Sequence, residues 1–332
     1  MTSSSGGPSG GLTDGRARRN SESVNTRSTV SVKARAKINL ALHVTGRRED
    51  GYHLLDSLVV FAGVGDQLNI TPAEHTCLEI SGPFGDGLRV EKDNLVFQAF
   101  QHLSQNLKSP LPPTAFHLEK NLPVSSGIGG GSADAAAALK GLVDLWQIDI
   151  EPQMLAKIAL SLGADVPVCL TGTTCRMRGI GQELTGIDDF PAIDCVLVNP
   201  GVGVSTPAVF RQLSLPAGKT AFAAMADLPA NAQASAQAND WVEWLGSARN
   251  DLQEAAATLA PEIHQTIAAL EQDSACQMAR MSGSGATCFG LFGSPHDAGN
   301  AAAKIADAHP DWWVIATQLG SVEPEPFLRT RQ

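Results

Sequence analysis

The amino-acid sequence predicts an α+β protein, in which strands and helices follow one another without a regular repeat. Residues 30–44 alternate between apolar and polar side chains, which is the period-two pattern of a strand with one buried face. A later stretch places apolar residues at i, i+3, i+4 and i+7 of a helix, at Leu139, Leu142, Val143 and Trp146. Because strands and helices come in mixed order, an α+β class is favoured over a series of βαβ units.

The first half of the chain carries several more elements. Lys37 and Asn39 occupy polar positions of the first strand, so the alternation predicts that both point toward one exposed face. Apolar patterning and turn residues then predict, in chain order, strands at 54–62 and 66–70, a helix at 94–107, a strand at 115–119 and a helix at 153–162 that Gly163 ends as a C-cap.

The second half of the chain also contains both strands and helices. An apolar strand is predicted at 195–199, whereas the alanine-rich residues 215–239 lack a pattern and predict a loop or a loose helical connection. From Trp241 onward the pattern predicts helices, then a strand, glycine turn and strand over 277–292, a helix at 297–308 and a last strand at 312–317.

Size and composition limit the function classes. A chain of 332 residues predicts about two domains. The formal net charge of −10 argues against a general nucleic-acid binder, and no apolar run is long enough for a transmembrane helix. The six cysteines form no C-x-x-C pair and have no histidine cluster beside them, so they are interpreted as small buried side chains rather than zinc ligands or disulfides.

The two ends of the chain differ from the rest. Residues 1–29 are rich in Ser, Gly, Arg and Asn and poor in large apolar residues, which predicts a disordered tail. A Ser- and Arg-rich transit peptide is the alternative, although the segment has little to form an apolar helix face. A short tail is also predicted at 326–332.

A glycine-rich loop precedes the striped helix and indicates a phosphate-binding site. Residues 123–133 read P-V-S-S-G-I-G-G-G-S-A, and a glycine loop that leads into a helix start presents backbone N–H groups to an anion. The dinucleotide pattern G-x-G-x-x-G fails at Ser132, and a Walker A reading of Gly218-Lys219-Thr220 fails because Leu213 stands where its first glycine is required. A flexible linker is disfavoured because the loop runs directly into a patterned helix.

This loop resembles the second motif of the GHMP kinase superfamily, and two other segments match its first and third motifs. Residues 34–40 read A-R-A-K-I-N-L, and residues 281–287 read M-S-G-S-G-A-T. The segments T-G-R-R-E-D-G-Y-H at 45–53 and L-G-A-D-V-P-V at 162–168 are similar to one branch, whose substrate carries a cytidine diphosphate group. The resemblance covers about residues 30–325 and implies a two-domain GHMP kinase fold, with a ribosomal protein S5 domain 2-like domain at 30–190 and a ferredoxin-like domain at 191–325.

The resemblance also implies a reaction and its catalytic residues. It implies an ATP-dependent kinase that phosphorylates the 2-hydroxyl of a methylerythritol linked to cytidine diphosphate, in the non-mevalonate isoprenoid precursor pathway. Asp165 matches the catalytic aspartate, as general base or orienting group, and Lys37 matches its partner lysine. From the residues alone, Asp165 would instead be a turn or cap residue, and Lys37 an exposed strand lysine.

The remaining site residues are assigned by the same resemblance. ATP is expected at the glycine loop with Mg²⁺, whose ligands stay unassigned; Ser132 can offer its hydroxyl to a phosphate and can equally serve as helix N-cap. The residues expected to bind the nucleotide are Pro123, Val124, Ser125, Ser126, Gly127, Ile128, Gly129, Gly130, Gly131, Ser132 and Ala133 of the loop, with Asn94 and Lys120 near the adenine. The residues expected to bind the substrate are Asn39, Tyr52, His53, Thr206 and Phe210, in which the two aromatic rings stack on cytosine and His53 reads its edge.

The sequence departs from the family pattern at a few positions and leaves two alternative functions open. Val59 stands where the family often has an aromatic residue, and Ser125 and Ser126 replace common glycines. A GHMP kinase for another small alcohol and a non-catalytic nucleotide-binding module are the competing readings. A cytoplasmic monomer or homodimer, with no membrane or nucleic-acid partner, is expected.

Overall fold

The computed structural model describes Met1 and residues 29–88, 93–229 and 237–320. Its N-terminal half is organised around a hairpin of two long strands. Strands β1 (Val30–Arg47) and β2 (His53–Pro72) pair antiparallel along their whole length, from Val30 opposite Ile70 to Arg47 opposite His53. Further strands join this sheet: β3 (Cys77–Ser81), β4 (Thr114–Glu119), β5 (Cys175–Gly179) and β6 (Glu183–Gly186).

Four helices cover one face of this sheet and form the N-terminal core with it. They are α1 (Leu95–Gln105), α2 (Gly130–Leu145), α3 (Pro152–Leu162) and α4 (Val166–Thr171). Helix α2 is the central one: its alanines from Ala135 to Ala138 are buried, and small side chains let it lie close to β1 and β2. Gly141 continues this close contact, because an added Cβ would stand 2.3 Å from a methyl carbon of Ile70.

The C-terminal half contains four more strands in the spatial order β10-β7-β9-β8, all antiparallel. This is the order of a ferredoxin-like sheet, in which two helices cross between strands on one face. The strands are β7 (Ile193–Asn199), β8 (Cys276–Met281), β9 (Cys288–Phe292) and β10 (Trp313–Leu319). The helices are α5 (Thr206–Gln212), α6 (Ala238–Ser247), α7 (Gln253–Leu259), α8 (Glu262–Glu271) and α9 (Pro295–Ala308). Leu319 pairs with Ala62 and so joins β10 to β2.

The predicted α+β class is confirmed, and two local predictions are wrong. The strands predicted at 54–62 and 66–70 are one continuous strand, because β1 pairs with β2 across the intervening glycines. Gly65 is needed there, since an added Cβ would lie 2.4 Å from the Ala34 carbonyl oxygen. Lys37 and Asn39 share a face as predicted, but they are 4% and 0% exposed instead of facing solvent.

Some further predictions have mixed outcomes. Cys169, Cys175, Cys195 and Cys288 are buried as predicted, whereas Cys77 is exposed and Cys276 is only half-buried. The predicted tails at 1–29 and 326–332 lie outside the described residues apart from Met1 and Thr29, as do residues 230–236 of the loop predicted at 215–239. The domain limits at 30–190 and 191–325 stay a prediction.

Candidate active site

The glycine-rich loop connects β4 to α2 and places the start of the helix at the wall of a deep cleft. Gly129 is the N-cap residue with φ of +68°, a left-handed conformation that glycine adopts without strain. No side chain caps the helix, so the first N–H groups of α2 remain available for an anion. Because the helix begins at Gly130, Ser132 lies within its first turn, and the predicted N-cap role for Ser132 is wrong.

The glycine turn between β8 and β9 holds this loop in position. The Thr287 N–H donates to the Ser126 carbonyl oxygen at 3.0 Å, and the Ser282 hydroxyl donates to the Gly127 carbonyl oxygen at 3.3 Å. The two backbones touch at Gly127, where an added Cβ would lie 2.6 Å from the Gly285 carbonyl oxygen. The second and third sequence motifs therefore form one packed unit.

Lys37 joins the first motif to the same unit. Its backbone N–H donates to the Ile128 carbonyl oxygen at 2.9 Å, and its Nζ lies 3.0 Å from both Asp165 Oδ2 and Asn39 Oδ1. Gly129 leaves room for this side chain, because an added Cβ would stand 3.3 Å from Lys37 Cε. The phosphate loop, an ammonium group and a carboxylate thus meet at one place in the cleft.

Asp165 directs its carboxylate into the cleft instead of capping a helix. It precedes α4, and its side chain makes no capping hydrogen bond. The side chain is 39% exposed, whereas that of Lys37 is 5% exposed. Asn39 is held in a fixed orientation, because its amide donates to the Ser57 hydroxyl at 2.7 Å while its oxygen accepts from Lys37. This leaves one carboxylate open to a bound alcohol.

Lys120 contacts the cleft, but two carboxylates engage its ammonium group. Lys120 Nζ donates to Asp66 Oδ2 and, at 2.7 Å, to Asp134 Oδ2. Burial opposes its charge, but the carboxylates of Asp134 and Asp66 raise the pKa of Lys120. Asp66 also accepts from the backbone N–H groups of Asn121 and Leu122, at 2.6 and 2.8 Å. The ammonium of Lys120 is thus a buried structural group, and its predicted contact with adenine stays a prediction.

Asn94 has a structural role beside the predicted one. It is the N-cap of α1, where its side-chain oxygen accepts from the Val96 N–H at 2.9 Å. It also lines the cleft on the side of Lys120. Its predicted position near the adenine is compatible with this geometry and stays a prediction.

The predicted cytidine residues lie together at another end of the cleft. Tyr52 is 61% exposed, and the rings of His53 and Phe210 stack with centroids 4.6 Å apart at an interplanar angle of 26°. His53 Nε2 is buried and has no hydrogen-bond partner among the described residues. Burial, with a smaller contribution from the nearby Arg47 cation, lowers the pKa of His53, so a neutral imidazole faces the cleft at neutral pH.

Other side chains complete this end of the cleft. The Thr206 and Ser284 hydroxyls are hydrogen bonded at 2.7 Å, which links α5 to the glycine turn after β8. Arg47 donates from Nε to the Gly51 carbonyl oxygen at 3.1 Å and from Nη1 to that of Leu215 at 2.9 Å. Val59, by contrast, is fully buried in the N-terminal core, so it does not form a wall of the cleft.

The cleft brings most of the predicted site residues together. Its volume of about 1320 Å³ exceeds that of a usual pocket for one small ligand, so two substrates can share it. The side chains of Ile128 and Ala133 point into hydrophobic cores instead, so only their backbone atoms can take part in nucleotide binding. The predicted residues that line the cleft are Lys37, Asn39, Tyr52, His53, Asn94, Lys120, Pro123, Val124, Ser125, Ser126, Gly127, Gly129, Gly130, Gly131, Ser132, Asp165, Thr206 and Phe210.

Sequence reasoning missed four charged residues of the cleft, Arg47, Asp93, Asp134 and Arg211. Asp134 follows the loop directly and could have been noticed as a carboxylate beside a phosphate site. Arg47 lies within the matched turn at 45–53, and Arg211 next to Phe210, but nothing in their patterns distinguishes them from surface arginines.

The described residues contain neither a metal-binding cluster nor a membrane-spanning helix. No group of three or more His, Cys, Asp or Glu side chains there could hold a metal ion. No helix in those ranges has the length and apolar character to cross a membrane.

Comparison with known families and proteins gives consistent matches. The GHMP kinases N terminal domain matches residues 94–173, and the GHMP kinases C terminal domain matches residues 231–311. The chain is 50% identical over 298 residues to 4-diphosphocytidyl-2-C-methyl-D-erythritol kinase of Roseobacter denitrificans, with 88% of this chain and 94% of the relative covered. It is 48% identical over 294 residues to the enzyme of that name from Rhizobium etli, with 88% and 95% covered.

Solved structures show the same relationship. A crystal structure of 4-(cytidine 5'-diphospho)-2C-methyl-D-erythritol kinase matches with a TM-score of 0.69 and 29% identity, covering 88% of this chain and 100% of that one. Homoserine kinase from Cytophaga hutchinsonii matches with a TM-score of 0.63 over 88% and 95% of the two chains, but at 17% identity this likeness shows the fold alone.

Proposed function

The chain belongs to the GHMP kinases, and we propose that it transfers the terminal phosphoryl group of ATP to the 2-hydroxyl of 4-diphosphocytidyl-2-C-methyl-D-erythritol. This reaction is a step of the non-mevalonate isoprenoid precursor pathway. The observation that carries the proposal is the 3.0 Å pair of Lys37 and Asp165 beside an uncapped helix start, in a cleft with aromatic side chains at another end. Relatives that are about 50% identical over most of the chain carry the name of this kinase.

The geometry suits phosphoryl transfer, which needs positioning and charge stabilisation more than covalent chemistry. The N–H groups at the start of α2 bind the phosphate oxygens of ATP. Asp165 accepts a hydrogen bond from the acceptor hydroxyl and takes its proton as the new O–P bond forms, while the bond between the terminal phosphorus and ADP breaks and ADP leaves. Lys37, held beside Asp165 and Asn39, donates to the negative charge of the transferring phosphoryl group.

The other end of the cleft suits a cytidine diphosphate group. Tyr52 and Phe210 offer ring faces on which a base can stack, and the neutral imidazole of His53 lines the cleft beside them. The cations Arg47 and Arg211 line this region, which favours an anionic substrate despite the negative net charge of the protein.

Mg²⁺ is expected to accompany ATP. The donor set fits a metal held mainly by phosphate oxygens and water, because Mg²⁺ keeps several waters and needs few protein carboxylates. Asp165 is one cleft carboxylate that could contact it, since Lys37 engages only Oδ2. A cytoplasmic location and a monomeric or homodimeric state stay predictions.

A substrate comparison tests the proposal. Purified protein is supplied with ATP, Mg²⁺ and one alcohol at a time, and ADP release is measured. We expect turnover with 4-diphosphocytidyl-2-C-methyl-D-erythritol and none above background with homoserine or mevalonate, because these alcohols lack a base to stack. Turnover of homoserine or mevalonate without turnover of the cytidyl substrate would contradict the proposal.

Phe210→Ala tests the base-binding end separately. Loss of one stacking face is expected to raise KM for the cytidyl substrate by about tenfold, since base stacking contributes about 1–3 kcal/mol. KM for ATP should stay unchanged. Phe222→Ala is a matched control, because Phe222 is exposed and does not line the cleft. Equal KM values for the cytidyl substrate in the wild type and Phe210→Ala would exclude a stacking role.

A further inference from the structure

Three buried charged side chains lie directly beneath the phosphate loop, and the proposed mechanism does not use them. Asp66 of β2, Lys120 after β4 and Asp134 of α2 contact one another, with 0%, 5% and 6% of their side chains exposed. An added Cβ on Gly130 would lie 3.5 Å from Lys120 Nζ and 3.7 Å from Asp66 Oδ2. The cluster is therefore separated from a bound phosphate group by little more than one glycine.

The cluster has one carboxylate too many for its single ammonium group. With both carboxylates ionised it carries one net negative charge below a loop that binds a polyanion. Both oxygens of Asp66 are occupied as acceptors, because Oδ1 accepts two backbone N–H groups and Oδ2 accepts from Lys120. Asp134 Oδ2 accepts from Lys120, but Oδ1 is buried without a partner among the described residues, and Asp134 belongs to the wall of the cleft.

We propose that Asp134 is a positioning residue that binds a proton when nucleotide occupies the loop, so that the protein takes up a proton at this site as ATP or ADP binds. In its neutral form Asp134 keeps this proton and donates a hydrogen bond to the Asp66 carboxylate, so that the cluster consists of a Lys120–Asp66 ion pair with a neutral acid beside it. The proton comes from solvent, and no other bond changes. This inference rests on the proposed nucleotide site but not on the identity of the acceptor alcohol.

The electrostatics support this assignment. Burial, with the repulsion of Asp66, outweighs the attraction of Lys120 and raises the pKa of Asp134 to about 7 before any nucleotide is present. Phosphate charge at the start of α2 disfavours a second nearby anion and raises this pKa further. Because the bound form then holds more protons than the free form, nucleotide affinity must fall as the pH rises above about 7.

The other elements around Asp134 offer no competing group within the described part of the chain. Cys169 of α4 faces it, but burial raises the pKa of this thiol to about 12, so it stays neutral. Lys37 of β1 is paired with Asp165 on the other side of the loop, and Asp93 before α1 is exposed. His102, in the last turn of α1, bonds to Ser161, and Lys157 of α3 is exposed.

Calorimetry of Mg·ADP binding tests the proposal. Binding enthalpies at pH 8 in buffers of different ionisation enthalpy give the number of protons taken up by the wild type and by Asp134→Asn. The asparagine amide can donate to Asp66 as the neutral acid does, so this variant should fold and bind Mg·ADP. The wild type should take up more protons on binding than Asp134→Asn, because the variant lacks the carboxyl group that binds the extra proton. Proton changes of the ligand itself are common to both proteins and cancel.

The affinities give a second readout. Between pH 7 and pH 8.5 the wild-type Kd for Mg·ADP should rise by about three- to tenfold more than that of Asp134→Asn. Asp149→Asn is the matched control, because Asp149 is exposed and does not line the cleft, and it should behave as the wild type. Equal proton uptake and equal pH dependence in the wild type and Asp134→Asn would overturn the proposal.

An infrared measurement on the wild type keeps the test independent of the variant. Adding Mg·ADP at pH 8 should produce the carbonyl band of a protonated carboxyl group, and its absence would overturn the proposal even if Asp134→Asn failed to fold. If the wild type does not bind Mg·ADP at all, it is the proposed function that fails. Binding without extra proton uptake removes only the inference about Asp134.

Discussion

Asp165→Asn is expected to lower kcat by about 10²- to 10⁴-fold, the range that a positioned general base contributes. The amide keeps the size of the side chain but cannot accept the proton of the substrate hydroxyl. KM for both substrates should change little, because the cleft walls and the phosphate loop are unaltered. Steady-state ADP release on the purified variant, with circular dichroism to verify folding, measures this.

Lys37→Ala should also lower kcat, because the ammonium group that faces the transferring phosphoryl group is removed. Asp149→Asn is the matched control, since Asp149 is an exposed aspartate away from the cleft. Near-wild-type turnover in either Asp165→Asn or Lys37→Ala would remove that residue from the mechanism.

Gly127→Ala is expected to destabilise the fold by at least about 2 kcal/mol, because two penalties add at this position. Its φ is +76°, where residues with a side chain are strained. A Cβ would also stand 2.6 Å from the Gly285 carbonyl oxygen and 2.7 Å from that of Ser282, so the loop and the turn after β8 would have to separate. Urea denaturation measures the free energy of unfolding, and activity should fall as the loop loses its support.

Gly131→Ala provides the comparison within the same glycine-rich segment. Gly131 lies in α2, and an added Cβ would meet only a methyl carbon of Leu95 at 3.5 Å, an ordinary contact. Its free energy of unfolding should stay within about 1 kcal/mol of the wild type, or rise, since alanine favours a helix. If Gly127→Ala were as stable as Gly131→Ala, the result would contradict the close packing of the second motif against the third at Gly127.

The long, strongly patterned elements could be predicted from the sequence. Strand β1 and helix α2 follow from local periodicity, and the start of α2 follows from the glycine loop. Several short elements were missed, among them β3, β6 and α5, because so few residues do not always distinguish a period of 2 from one of 3.6. The two strands predicted at 54–62 and 66–70 are one, because pairing with β1 overrides the glycines between them.

The site could be predicted only as a set of residues, and its pairings could not. Lys37 and Asp165 stand 128 positions apart, and their contact depends on how β1, the loop and α4 pack. The local pattern of Lys37 predicts an exposed lysine, which is wrong because the loop covers that face. The pairing of Lys120 with Asp66 and Asp134 could not be predicted either, because the three residues come from separate elements.

A crystal structure with a non-hydrolysable ATP analogue and 4-diphosphocytidyl-2-C-methyl-D-erythritol tests the central arrangement most directly. The terminal phosphate should lie on the N–H groups at the start of α2, and the 2-hydroxyl should lie within hydrogen-bond distance of the Asp165 carboxylate, in line with the terminal phosphorus. The cytosine should stack on Tyr52 or Phe210. A nucleotide bound away from residues 127–132, or a 2-hydroxyl that contacts neither Asp165 nor Lys37, would contradict the account.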